Sequence, residues 1–433
     1  MRLAHLLLWN DLNPTMVNQS GANGHYNGTR PPDSVLGPAL HDYSKRSLLL
    51  NQRLAYLTKD FGYTIGLTTL KKLNREFKVK TVKKPPPDHI SATLVAEVMM
   101  NNVSSRNGPR TIQTQISLQH GVKIPRDTVR RVMLDLDPDG AEARFPGRRH
   151  QPKQRGHLTD TGVFYELHFD GHEKLNFKAL RMGPVGIDIY GARCHSSSKM
   201  VKFLVVPNAR CSSTVGHYYL DLVEQHGVFV QATVDGGSET GEFYAAHVAL
   251  RQQCMPDITV EDAPAFVALK STDNIPIESS WHLFTNYVGL DIKQIILLGK
   301  SLNYFHPSFQ LHINLFNWLW PKIVQLSLDE FVEYWNNHKI RTQRNKLLPS
   351  GFSPNYICDF PESFGLVDFS VPAPQDFVDA LRQNIPKPRD ECYRWVSDEF
   401  DARAWEVYEH IGAPKLMLTE GWTIFCQMLP HFC

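Results

Sequence analysis

The sequence predicts an α/β protein: a mixed sheet flanked by helices, preceded by an all-α, helix-turn-helix-like front. Three observations carry this. Residues 163–234 hold four runs of strand character with one helical stretch before the last of them. Residues 41–143 hold two successive patterns of helix, glycine-containing turn and helix. Between His41 and His157 there are 22 Lys+Arg against 10 Asp+Glu, a net +12, and the remaining residues carry −10, so the chain changes chemical character where its pattern changes.

Residues 1–40 are rich in Asn, Gly, Pro and Ser without periodicity, and are expected to form a disordered tail. From Tyr43 a helical pattern starts, with Leu50, Leu54 and Leu57 on one face. Gly62 suits a left-handed helix end and Thr68 a cap for the next helix. That next helix turns Leu70, Leu73 and Phe77 inward and Lys71, Lys72 and Arg75 outward. After the stiff Lys83-Lys84-Pro85-Pro86-Pro87 the arrangement repeats. Helices are expected from Ile90 to Met100, from Gly108-Pro109-Arg110, and, after the turn His120–Pro125, from Arg126. Val129, Val132 and Met133 pack inward while Arg126, Arg130 and Arg131 project. Guanidinium groups at a helix start reach phosphates or the guanine edge of a major groove, so the front is read as a DNA-binding region. A basic connector over 144–160, holding Arg148 and Arg149, marks a domain boundary and suits a DNA backbone.

Beyond Gly162 come strand-like runs at Val163–Phe169, Pro184–Tyr190 and Met200–Val206, a helix at Thr214–Glu224, and a strand at Val228–Val234. Three strands, a helix, a strand and further helices make an α/β plan of ribonuclease H type, placed at residues 161–358. Residues 306–338 read as helical, with Trp318, Trp320, Phe331 and Trp335 as core. Residues 359–433 carry little pattern and are set apart as a C-terminal region.

Composition excludes several classes. With 433 residues the chain is long enough for two or three domains, and 42% hydrophobic with 21% charged residues is ordinary globular usage. No run of about 18 apolar residues occurs, and Leu6-Leu7-Leu8-Trp9 is short for a signal-peptide core, so no membrane association is expected. The seven cysteines are widely spaced without a CxxC pair, which fits neither a disulfide framework nor a zinc finger.

The chemistry centres on acids. Asp170 and Asp235 each follow a strand and precede a glycine, at the strand ends where reactive groups gather in α/β sheets. Glu278 follows Pro276 in a first helical turn facing back toward the sheet. Converging carboxylates repel one another, and hard oxygen donors of this kind suit Mg²⁺ or Mn²⁺. A lone Asp-Gly is usually only a turn; the strand context of both aspartates gives them weight.

Four segments then carry a resemblance. His168-Phe169-Asp170-Gly171-His172-Glu173-Lys174-Leu175 resembles the opening of the integrase core domain of transposon-derived eukaryotic proteins, relatives of retroviral integrases. Gly186–Gly191 is similar to its second strand, Val234–Thr240 to its second acidic segment, and Asn274–Trp281 to its glutamate-bearing helix. The stretch from Gly121 to Gly140 resembles what precedes this core, and the whole covers roughly residues 45–360. Thr240 stands where Asn is usual, and Ser279 and Ser280 where an Arg is typical. The resemblance implies a ribonuclease H-like fold and a D,D,E metal site of Asp170, Asp235 and Glu278, with Asp188 as a structural acid. It implies Mg²⁺- or Mn²⁺-dependent cleavage and strand transfer on DNA, a nuclear location, and a homo-oligomer that joins two DNA ends. Two other readings remain open: a non-catalytic, domesticated DNA-binding protein, and a ribonuclease H-like nuclease.

Overall fold

The computed structural model describes residues 27–138, 140, 161–269, 273–343 and 348–432. The basic connector with Arg148 and Arg149, and residues 1–26 of the expected tail, lie outside them. The chain divides into two compact units: Met1–Val98 with Pro109–Asp137, and Met99–Gly108 with Pro138–Cys433.

The first unit is all-α. Helix α1 (Asp33–Lys45) buries Leu36, Leu40 and Tyr43, at spacings of four and three. The expectation of a disordered stretch to residue 40 is therefore corrected over 33–40: an amphipathic stripe is present there despite Pro38 inside the helix. Helix α2 (Leu50–Phe61) ends on Gly62 at φ +62°, a left-handed stop as the sequence predicts. Helix α3 (Leu67–Glu76) starts from Gly66 in extended conformation, so Thr68 lies inside the helix and is not its cap. Leu70 and Leu73 are buried and Lys71, Lys72 and Arg75 exposed. Helices α4 (Asp88–Met100), α5 (Pro109–His120) and α6 (Arg126–Leu136) form the second half, with Val129, Val132 and Met133 inward. Arg126, Arg130 and Arg131 are exposed. Buried Lys123 ties the halves together: its ammonium donates to Ser47 Oγ and Ser117 Oγ, each at 2.6 Å. Burial and the nearby Arg53 lower its pKa to about 8.

The second unit is a five-stranded mixed sheet flanked by helices. Its strands are β2 (Glu166–His172), β3 (Asp188–Cys194), β4 (Met200–Val206), β5 (Gln231–Asp235) and β6 (Phe266–Leu269), in the order β4-β3-β2-β5-β6. The β2–β3 and β3–β4 pairs are antiparallel; β2–β5 and β5–β6 are parallel. The strand expected at 184–190 forms at 188–194, where Asp188 pairs with Val206 and Leu167 with Cys194. One face packs on α8 (Ser212–His226) and α9 (Gly241–Cys254) through Leu167, Phe169, Ala232 and Val234. The other faces α10 (Ile275–Phe284), α11 (Leu290–Ser301) and the long α12 (Gln310–Asn337), whose Trp318, Trp320 and Phe331 are core as expected.

The C-terminal stretch is not separate, and the boundary expected at 358/359 is corrected. The short β1 (Gly162–Val163) pairs in parallel with β7 (Val367–Asp368). Buried Asp221 on α8 binds Arg382 and Arg389, each at 2.9 Å. Trp422 and Phe425 complete the core around α12. Residues 99–108 also belong here, not with the front region: the Ser104 N–H donates to Asp291 Oδ1 at 2.7 Å.

Candidate functional site

The alternation of β2 builds the site. Leu167 and Phe169 face the apolar core, so Glu166, His168 and Asp170 share the opposite face. The parallel ladder to β5 runs to His168↔Thr233 and stops, so Asp170 and Asp235 flank the opening just beyond it. Asp170 does not follow a strand, as its Asp-Gly had predicted: β2 continues to His172 because Gly171 and His172 pair with Tyr190 and Ile189. Asp235 is the last residue of β5. Gly236 and Gly237 then lead to a short 3₁₀ turn, Ser238–Thr240, where the Thr240 hydroxyl donates to Gly237 O at 2.8 Å.

Asp170 is held on both oxygens. The Gly171 N–H donates to Oδ1 and the Trp281 indole N–H to Oδ2, each at 2.7 Å. Its pKa is nonetheless raised to about 7, first by burial, then by the charge of Asp235, with Glu278 adding to it. Asp235 and Glu278, the other two acids singled out in the sequence, thus both come within electrostatic reach of Asp170. Asn274, fully buried at the start of α10, donates to Asp235 Oδ1 at 3.2 Å and to Phe169 O at 3.1 Å. Glu278 lies in the first turn of α10, with Pro276 at the helix start as expected.

Buried Arg193 anchors that helix start. Its guanidinium donates to Pro276 O at 2.5 Å, to Ser280 Oγ at 3.0 Å, and to Ser279 Oγ. A cation from β3 therefore reaches the two serines that follow Glu278. Burial lowers the Arg193 pKa to about 10.

Asp170 and Asp235 line a cleft of about 500 Å³ together with Glu173, Glu239 and Arg210. Arg210 is ion-paired to Glu173. Glu239 is an acid that the sequence reasoning passed over; its place two residues after Gly237 was the available signal. Asp188 accepts the Ala209 N–H at 3.1 Å, and burial raises its pKa. Trp281 and Asn274 were visible only as parts of a motif, not as partners of the aspartates.

Further along the same face, His168 Nδ1 meets Asn274 Oδ1 at 2.7 Å and its Nε2 meets His195 Nδ1 at 2.8 Å. Glu166 lies 3.3 Å from His168 Nε2 and 3.4 Å from His195 Nδ1. Burial lowers the His168 pKa to about 4.

A mixed five-stranded sheet with antiparallel and parallel halves, flanked by helices and bearing acids where the parallel pair opens, defines a ribonuclease H-like domain. Residues 166–352 match the family model of the integrase core domain, a span that includes Asp170, Asp235 and Glu278. That match, over 187 of the 433 residues, supports an integrase/transposase-like protein of the ribonuclease H superfamily. No curated protein matches it. Among the described residues no helix is long and apolar enough to cross a membrane.

Proposed function

We propose that this protein cleaves DNA and transfers the strand in a reaction that depends on Mg²⁺ or Mn²⁺, with Asp170, Asp235 and Glu278 as the metal ligands. The observation that carries the reading is the placement of Asp170 and Asp235 where the β2–β5 ladder opens, with Glu278 near enough to add to the raised pKa of Asp170. A carboxyl crowded by two others fits a site completed by divalent cations, and an all-oxygen donor set suits hard ions. Ions held there supply Lewis-acid polarisation of the phosphate and a more acidic oxygen nucleophile. The chain's own part is orientation. Trp281 and the Gly171 N–H fix Asp170, Asn274 fixes Asp235, and Arg193 fixes the helix start that presents Glu278.

The exposed Lys71, Lys72, Arg75, Arg126, Arg130 and Arg131 support DNA as the partner of the front unit, with phosphate contacts giving most of the affinity. Arg148 and Arg149 extend that basic character in sequence. Joining two DNA ends calls for a homo-oligomer, and a DNA substrate for a nuclear location.

The test is nicking and joining of labelled DNA duplexes by the full chain with Mg²⁺ or Mn²⁺. Wild type is expected to cleave, and Asp170→Asn, Asp235→Asn and Glu278→Gln to lose cleavage by at least about 100-fold, with double variants little worse than single ones. Robust cleavage by any of the three overturns the assignment. Silence of the wild type on duplex DNA, with DNA binding retained, leaves the domesticated DNA-binding reading; cleavage of an RNA–DNA hybrid alone leaves the nuclease reading.

A further inference from the structure

We propose that Glu166, His168 and His195 form a second metal site, distinct from the acid triad, that takes a borderline ion such as Zn²⁺ through two imidazole nitrogens and a carboxylate oxygen. The register of the sheet puts the three together. Glu166 and His168 are alternate residues on one face of β2. His195 is drawn beside Glu166 because its N–H donates to Glu166 O at 3.0 Å. Among the described residues these three are the group whose ligand atoms all lie within 4.8 Å of one another.

The hydrogen bonds around the cluster orient lone pairs into it. Asn274 spends its amide N–H groups on Phe169 O and Asp235 Oδ1, so its carbonyl oxygen faces His168 Nδ1, and that ring nitrogen carries the hydrogen. The lone pair of the neutral ring then lies on Nε2, toward His195 Nδ1 and Glu166. A metal-bound imidazole usually donates its far N–H to a fixed oxygen acceptor, and the Asn274 carbonyl oxygen serves as one here. The Thr233 hydroxyl donates to Glu166 Oε1 and steadies the carboxylate. His195 turns Nδ1 into the cluster, and its buried Nε2, on the far side of the ring, has no hydrogen-bond partner among the described residues.

Dimensions and chemistry agree with zinc. Tetrahedral bonds of about 2.0–2.2 Å space ligand atoms about 3.3–3.5 Å apart. Glu166 Oε1 lies 3.3 Å from His168 Nε2 and Oε2 lies 3.4 Å from His195 Nδ1, so the carboxylate sets one oxygen at that spacing from each imidazole. The His–His separation of 2.8 Å opens by about half an ångström to reach that spacing. Two imidazoles and one carboxylate suit Zn²⁺ better than Mg²⁺, which prefers oxygen. Glu166, 22% exposed against 4% and 8% for the histidines, gives an ion its way in. Arg193 stands opposite His168 in the sheet, but its Nη1 is engaged by the start of α10. The chain of contacts His168–Asn274–Asp235 joins this site to the acid triad. Only that link rests on the catalytic reading; the site itself does not.

The experiment uses the full chain stripped with a chelator and titrated with zinc sulfate alone, reading bound zinc per chain and the rise in Tm. Wild type and Asp170→Asn are expected to bind one equivalent with a rise in Tm. Glu166→Gln and His195→Asn are expected to weaken binding at least about 100-fold, and Asn274→Ala about 10- to 100-fold. If His195→Asn does not fold, Glu166→Gln, close in shape to the original, decides. Absence of stoichiometric zinc and of any Tm rise in wild type overturns the proposal and leaves a metal-free His–His–Glu hydrogen-bond array. Equal binding by wild type and Glu166→Gln also overturns it, because the zinc then sits on cysteines or other histidines. Zinc retained by Asp170→Asn while its Mg²⁺-dependent cleavage is lost separates this site from the triad.

Discussion

At the residue scale, Asp170 has a measurable signature without any metal. Its folded pKa of about 7 lies above the ordinary 3.8 of an aspartate, because burial and neighbouring negative charge oppose ionisation. A carboxyl that holds its proton more tightly when folded stabilises the fold below about pH 4, and that contribution is lost as pH rises through about 7. Asp170→Asn keeps an acceptor for one of the two N–H groups, of Gly171 and Trp281, and removes the charge. The Tm of the metal-free variant is therefore expected to rise relative to wild type between pH 4 and pH 8; an equal difference at both pH values would show that the acids do not interact. Mg²⁺ competes with the same proton, so wild-type metal affinity should rise with pH across this window. The three acids were legible because Asp-Gly after strand-like runs and Glu after Pro are local patterns. Trp281 and Asn274 were not legible as partners, because their roles depend on how α10 lies across the sheet, which no local pattern encodes.

At the element scale, α11 and the C-terminal helix Gly421–Met428 show how tightly the end of the chain is built in. A Cβ on Gly299 would lie 2.0 Å from Trp422 Cζ2, and the Trp422 indole N–H is fixed to Ile295 O at 2.7 Å. Gly299→Ala gains roughly 1 kcal/mol of helix propensity. It also forces the indole off its seat, with overpacking costs of about 1–3 kcal/mol or more. The expected outcome is net destabilisation in chemical denaturation, and an unchanged or raised midpoint would mean that Trp422 does not sit there. This contact explains part of what the sequence concealed. Residues 359–433 looked separate because they hold no long periodic run, yet Trp422 fills a notch left by one glycine far upstream. Helix α1 was hidden by Pro38, and β6, four residues long, by its brevity. Strand β3 was expected four residues early because Val185, Ile187 and Ile189 are apolar. Val185 and Ile187 are buried in the core without pairing as strand, and the ladder is set by Asp188↔Val206. By contrast β4 matched its expected limits, and Gly62 stopped its helix where expected, since each is decided by a few adjacent residues.

At the scale of the whole molecule, the charge asymmetry and the buried histidines make separate predictions. The stretch 41–157 carries +12 in a chain of net +2. Each phosphate contact contributes about −0.9 to the slope of log K against log salt on duplex DNA. Neutralising Lys71, Lys72, Arg130 and Arg131 together in the full chain should therefore flatten the slope by up to about 3.6, at contacts the DNA actually makes; an unchanged slope would remove these residues from the interface. The core unit makes the acid prediction. His172 lies against Trp281 with ring centroids 4.8 Å apart, and His247 receives the Tyr219 hydroxyl at 2.8 Å and stacks on Phe229 at 4.6 Å. Burial lowers their pKa values to about 4 and about 3, from the ordinary 6.5 of a histidine. Both stay neutral in the fold while the unfolded chain takes up protons below about 6.5. Their contribution to stability is present above that pH and is lost as pH falls toward 4 and 3. Each approaches about 1.4 kcal/mol per pH unit once the unfolded histidine is fully protonated. Asp170 runs the other way over the same range, while buried His168, lowered to about 4, runs with the other two histidines. Urea unfolding of the chelator-treated chain should show stability falling between pH 6.5 and 5, and His247→Gln, which cannot be protonated, should flatten that fall even if it lowers stability at pH 7. A slope equal in wild type and variant would mean that His247 is reached by water and protons in the folded state, and that the apolar side of the sheet is less closed than Phe229, Phe243 and Tyr219 make it.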